Sequence, residues 1–203
     1  LKKQGRLTAI LSGPSHAEQV IEKIPTSVVV SSESLDMLNP LRNLFSDKYF
    51  RVYSNDDVIG VQLGGAVKNV IAIAAGIVHG LNFKENTIST LLTRGLYEIK
   101  LLGDKLGAKK ETLNGLTGLG DLMATAFSNH SRNRDVGIKI AKGDSVSSIV
   151  ESIEVNAEGV ETARSLYNLG KSLGVDLPIC NKVYEILYLN EDPLESINSL
   201  MSR

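Results

Sequence analysis

The chain has 203 residues, 42% of them hydrophobic and 22% charged, which is the balance of a folded globular protein and excludes a disordered one. Twenty-two Lys and Arg against 23 Asp and Glu leave a formal charge of −1, so no basic footprint marks nucleic acid or an anionic membrane as a partner. The single cysteine, Cys180, excludes an internal disulfide and points to reducing, cytoplasmic surroundings.

The opening Leu1-Lys2-Lys3-Gln4-Gly5 has no apolar core behind it and does not read as a signal peptide. A start on Leu1 instead of Met reads as a chain entered partway. Residues 7–11 form a short apolar run, bounded by Ser12-Gly13-Pro14, and predict a strand. Ser15 opens a short helix to Val20, and the β-branched run 26–30 predicts a second strand. Residues 35–45 read as a helix with Leu35, Leu38, Leu41 and Phe45 on roughly one face, and 49–53 as a third strand. This alternation is that of an open α/β sheet. Three strands alone would leave their faces without covering helices and an inner edge exposed, which again reads as part of a larger domain. No G-x-G-x-x-G follows a strand, so a dinucleotide fingerprint is expected upstream.

The character changes at Ser54-Asn55-Asp56-Asp57, an acidic run suited to capping a helix. The apolar stretch 58–79 is long enough to ask about a membrane. It carries Gln62, Lys68 and Asn69 near its middle, so it reads as the buried central helix of a soluble domain, without stable membrane insertion. A second long helix is expected over 86–106, ended by Gly107, then a glycine-punctuated loop over 114–120. Further helices are expected from Asp121, from Arg132, over 158–173, over 178–189, and from Asp192-Pro193 onward. The fold class is α/β plus all-α: sheet residues 1–55, then an all-helical unit over 56–203.

Lys68 is the first chemical candidate. Helical spacing puts Gly64 and Gly65 one turn before it, leaving an uncovered patch where a ligand could approach both backbone and ammonium. The second is Gly115-Leu116-Thr117-Gly118-Leu119-Gly120-Asp121-Leu122, whose glycines allow close backbone approach and whose Asp121 stands at a helix start. The third is Ser131-Arg132-Asn133-Arg134, a capped helix start with an arginine fork, which suits a phosphate. The fourth is Ser12-Gly13-Pro14-Ser15, because ligands in open α/β sheets bind outside the carboxyl ends of strands. Each has a bland alternative: a snorkelling lysine, a plain N-cap, a solvated arginine and an ordinary turn. His16, His79 and His130 show no metal-ligand spacing, so no metal is expected, and Cys180 reads as a core thiol.

Five segments in order carry a resemblance over nearly the whole chain from Leu7 onward. They are Leu11-Ser12-Gly13-Pro14-Ser15-His16-Ala17, Gly65-Ala66-Val67-Lys68-Asn69-Val70, the Gly115–Leu122 glycine motif, Ser131-Arg132-Asn133, and Glu158-Gly159-Val160. Together they resemble the bacterial NAD(P)-dependent glycerol-3-phosphate dehydrogenases. That resemblance implies the C-terminal remnant of a Rossmann-type sheet domain followed by a multi-helical, 6-phosphogluconate-dehydrogenase-like C-terminal domain. It implies hydride transfer between NAD or NADP and dihydroxyacetone phosphate, giving glycerol 3-phosphate for phospholipid synthesis, with a small-molecule substrate as partner; the small-residue helices are compatible with a homodimer. Lys68 would donate the proton and Asp121 would hold that lysine. Gly13, Ser15, Lys68, Asp121, Ser131, Arg132 and Asn133 would contact substrate, and Ala17, Arg132 and Glu158 would contact cofactor. Three positions depart from the family: His16 where Phe is common, Ala126 where Cys is common, and Asn156 where an apolar residue is usual. Without the upstream fingerprint, the 203 residues alone are expected to be inactive. Two other readings stay open: a related dehydrogenase taking a carboxylate substrate, and a helical oligomerisation module without catalysis.

Overall fold

A computed structural model describes residues 7–146, 148–149 and 158–202. Strand β1 (Ala9–Ser12), helix α1 (Ala17–Ile21), strand β2 (Thr26–Ser32), helix α2 (Leu38–Phe45) and strand β3 (Phe50–Asn55) come first, with one 3-10 turn at Leu35–Met37. The sheet order is β1-β2-β3. β2 and β3 are parallel, pairing Thr26 with Phe50 and Ser31 with Asn55. β1 is antiparallel to β2, pairing Ala9 with Ser32 and Ser12 with Val29. Its carboxyl end therefore lies on the opposite rim from those of β2 and β3.

β2 is the centre of this sheet, and its β-branched residues are buried on both faces, contrary to the expected bare faces. Val28 and Val30 pack with Leu38 and Val52 into a small core beneath α2. Val29 and Ser31 alternate to the other face, where they are equally buried. Of the apolar face expected over residues 35–45, Leu38 is buried and Leu41 packs against that core. Leu35 is exposed because a 3-10 turn opens the segment and breaks the 3.6-residue register, and Phe45 is exposed as the last residue of α2.

The helices follow: α3 (Val58–Gly80), α4 (Glu85–Leu106), α5 (Lys110–Asn114), a π-helical turn (Leu116–Gly120), α6 (Asp121–Phe127), α7 (Arg132–Ala141), α8 (Glu158–Leu173), α9 (Pro178–Leu189) and α10 (Pro193–Met201). α3 is the axis of the bundle. It packs against α4, α6, α7, α8 and α9, so apolar residues occupy nearly its whole circumference. It is long and apolar enough to cross a membrane, yet 67% of its most apolar window is buried inside the protein. Val70, Ile71 and Ile73 are fully buried, each contributing about 1.5–3 kcal/mol by transfer from water. Asp57 caps α3: its Oδ1 accepts from Gly60 N at 2.8 Å, and its Oδ2 accepts from Lys109 N at 2.7 Å, tying in the start of α5.

α3 and α7 meet backbone to backbone. A Cβ on Gly76 would run into the carbonyl oxygen of Arg134, and one on Gly137 into that of Ile73. Only two glycines permit that approach. The contact places the first turn of α7, and with it Ser131 to Asn133, beside the middle of α3.

Candidate active site

Lys68 points from the middle of α3 toward the start of α6. Its Nζ lies 2.6 Å from Asp121 Oδ2, with side-chain exposures of 19% and 4%. The other carboxylate oxygen of Asp121 accepts from Thr125 Oγ1 at 3.3 Å, and the same hydroxyl donates to the Asp121 carbonyl at 2.6 Å. The carboxylate is thus held from two sides, and among the described residues the ammonium has one fixed partner. The expected bare patch at Gly64 and Gly65 is not bare. The Thr117 carbonyl of the π-helical turn sits on Gly64, and Ser12 at the end of β1 sits on Gly65. The two glycines bring walls close to Lys68 instead of leaving a gap.

Those walls enclose a cavity of about 670 Å³. Gly13, Ser15, Lys68, Asp121, Ser131, Arg132, Asn133 and Glu158 all line it, so eight of the nine residues singled out from the sequence come together. Ala17 does not: it is exposed on α1, outside the lining. Gly13 adopts φ +142° as β1 turns away, and Ser15 Oγ donates back to its carbonyl at 3.1 Å. Ser131 is buried and caps α7, its Oγ accepting from Arg134 N at 3.3 Å. The free N–H groups of that first turn and the positive end of the helix dipole favour an anion. Arg132 follows at once, exposed at the lining and without an ion-pair partner among the described residues.

Sequence reasoning missed Asn69, Thr125, His16 and His130 as lining residues. Asn69 Nδ2 donates to Glu158 Oε2 at 3.3 Å, while Asn133 Oδ1 accepts from Gly159 N at 2.9 Å. The two asparagines dock the start of α8 onto the site. Nothing local in sequence signals a bond spanning 89 residues, but Thr125 lies four residues after Asp121 and helical spacing could have found it. Ala126 is buried in the main core and away from the cavity, and Asn156 lies outside the described residues. Among the described residues no cluster of three potential metal ligands occurs.

The family described as NAD-dependent glycerol-3-phosphate dehydrogenase C-terminus matches residues 57–198. The chain belongs to that family. A glycerol-3-phosphate dehydrogenase [NAD(P)+] of Clostridium botulinum (strain Alaska E43) is 48% identical over 194 residues, covering 96% of this chain and 59% of that protein. One from Carboxydothermus hydrogenoformans is 52% identical, with 96% and 58% covered. The crystal structure of glycerol-3-phosphate dehydrogenase from Coxiella burnetii superposes with a TM-score of 0.94 at 38% identity, over 97% of this chain and 61% of that one. The chain thus spans about 59% of the length of the curated relatives it matches. In this member of the family the π-helical turn, α6 and α7 come together beside Lys68 of the central helix, and the cavity lies where they meet.

Proposed function

We propose that this chain carries the substrate-binding and proton-donating part of an NAD(P)-dependent glycerol-3-phosphate dehydrogenase. The reaction interconverts dihydroxyacetone phosphate and glycerol 3-phosphate. The observation that carries the reading is the 2.6 Å Lys68–Asp121 pair in a cavity that the start of α7 also lines.

The chemistry follows from the groups present. Reduction of a ketone places negative charge on the carbonyl oxygen. A reduced nicotinamide supplies the hydride when bound. Lys68 Nζ donates a proton to that oxygen and stabilises its charge, an effect of about 10²–10⁴ in rate for a positioned acid. Asp121 orients the ammonium through Oδ2, leaving its other protons for substrate. The Ser131–Asn133 turn binds the phosphate end, so binding energy far from the reacting carbon holds the carbonyl against Lys68. Gly13 and Ser15 close the opposite wall. An anionic dinucleotide fits the lining because Arg132 has no ion-pair partner among the described residues; Glu158 and Arg132 are the cofactor-side lining positions we assign, and Ala17, outside the lining, is assigned to the cofactor by the family resemblance alone.

We further assign residues 1–55 to a dinucleotide-binding unit and 56–203 to the substrate unit, a cytoplasmic setting, a homodimeric assembly and a role in supplying phospholipid synthesis. Calorimetric titration of the chain tests the substrate class. Glycerol 3-phosphate binds, lactate of equal concentration does not, and Arg132→Gln weakens glycerol 3-phosphate binding at least tenfold. Equal binding of lactate, or indifference to both, refutes the phosphate reading.

A further inference from the structure

Among the described residues, six side chains able to carry charge line the cavity. Lys68 and Arg132 oppose Asp121 and Glu158, so these four cancel. The remaining two are imidazoles, His16 and His130. Of the described charge-bearing groups, these two are the ones whose charge changes in the neutral range.

They arrive from separate elements. His16 is the N-cap of α1, and His130 directly precedes Ser131, the cap of α7. Their rings face each other with centroids 6.3 Å apart and planes tilted by 49°. His16 Nε2 lies 3.3 Å from the Ala124 carbonyl oxygen of α6. A carbonyl only accepts, so Nε2 carries hydrogen in that bond and Nδ1 is the atom left to take up a proton. The charged groups on surrounding elements are Lys68 on α3, Asp121 on α6, Arg132 and Arg134 on α7, Glu158 on α8 and Glu18 on α1. Lys68 is bonded to Asp121, Glu158 to Asn69, and Arg134 to Asn129 Oδ1 at 3.2 Å.

A phosphate monoester carries about −1.5 to −2 charges at pH 7. Arg132 answers one of them. Imidazole is the side chain that changes charge in the neutral range. We propose that His16 and His130 form a two-imidazole charge gate that takes up protons as the substrate's phosphate dianion binds and sets its affinity. The inference rests on the phosphate-ester reading of the site. By linkage, an anion that binds better to the protonated pair must draw protons onto it.

The sign of the proton exchange separates this device from the ligand's own titration. A phosphate binding as the dianion releases protons; imidazoles becoming charged take them up. The test is calorimetry of glycerol 3-phosphate binding to the 203-residue chain at pH 7.5, in two buffers of different ionisation enthalpy. Wild-type protein shows net proton uptake, and its Kd weakens by about tenfold between pH 6.5 and 8.5. H16F and H130N each reduce the uptake, and the double variant abolishes it and flattens the pH dependence. H16Q serves as a second variant at the same position, with circular dichroism checking the fold of each. Binding with net proton release, or uptake unchanged in the variants, overturns the charge gate while leaving the site reading intact. No glycerol 3-phosphate binding at any pH overturns both.

Discussion

Glu98 offers a sharp test of how the bundle is held. It sits on α4, only 4% exposed, and its carboxylate accepts from Ile179 N at 2.7 Å and Cys180 N at 3.1 Å. These are first-turn N–H groups of α9, whose own N-cap, Leu177, has no side chain to offer. A distant helix therefore supplies the cap. Burial pushes the Glu98 carboxyl above the usual glutamate range, outweighing the two N–H bonds that pull it down. E98A leaves both N–H groups buried and unpaired, at about 1–3 kcal/mol each, partly offset by release of a desolvated charge. The net expectation is a loss of about 2–4 kcal/mol, or a fall in Tm of roughly 5–15 °C for a chain of this size. The pH dependence has a fixed sign. A carboxyl raised in the folded state contributes stability that is full below its unfolded value and is lost as pH rises through the folded one. Wild-type protein should gain stability relative to the non-titrating E98Q on going from pH 8 to pH 5. Thermal melts by circular dichroism read both effects. A change below about 0.5 kcal/mol for E98A, or a wild-type advantage over E98Q that shrinks on acidification, refutes the reasoning.

Two other perturbations address positioning. G137V drives a side chain into the Ile73 carbonyl and pushes α7 off α3; glycerol 3-phosphate affinity should fall at least tenfold, with G137A intermediate, and unchanged affinity in a folded variant would sink the claim that this contact places Ser131–Asn133. D57A removes the cap shared by α3 and α5 and should cost about 1–3 kcal/mol in urea unfolding with the m-value unchanged; no loss would show that Gly60 and Lys109 find other partners.

Much of this protein was legible in its residues. The β-branched run at β2, the capping pattern at 54–57, Gly107 and the Asp192-Pro193 start each specify an element locally, and each appears where those patterns put it. Gly107 ends α4 in the left-handed conformation at φ +83°. What escaped depends on partners remote in sequence. The antiparallel course of β1 has no local signature, because strand direction is decided by how the turn at Gly13 sends the chain back. The π-helical turn takes the place of the loop expected over 114–120, since glycines there serve close packing against Gly64 and Leu113 as well as turning, and α5 occupies residues 110–114 just before it. Glu98 looked like any charged helix residue until α9 arrived to use it. Lys68, Asp121 and the Ser131 turn were legible as candidates, but periodicity could not show that a carboxylate 53 residues away would meet the ammonium.

The central claim is that Lys68 Nζ is the proton donor in this cavity. Its direct test joins the chain to the part of the Clostridium botulinum relative that it does not match and follows NADH oxidation with dihydroxyacetone phosphate, wild type against Lys68→Ala. The account predicts that kcat drops by about 10²–10⁴ while circular dichroism shows the fold retained and glycerol 3-phosphate still binds. A Lys68→Ala enzyme turning over within a fewfold of wild type would contradict it.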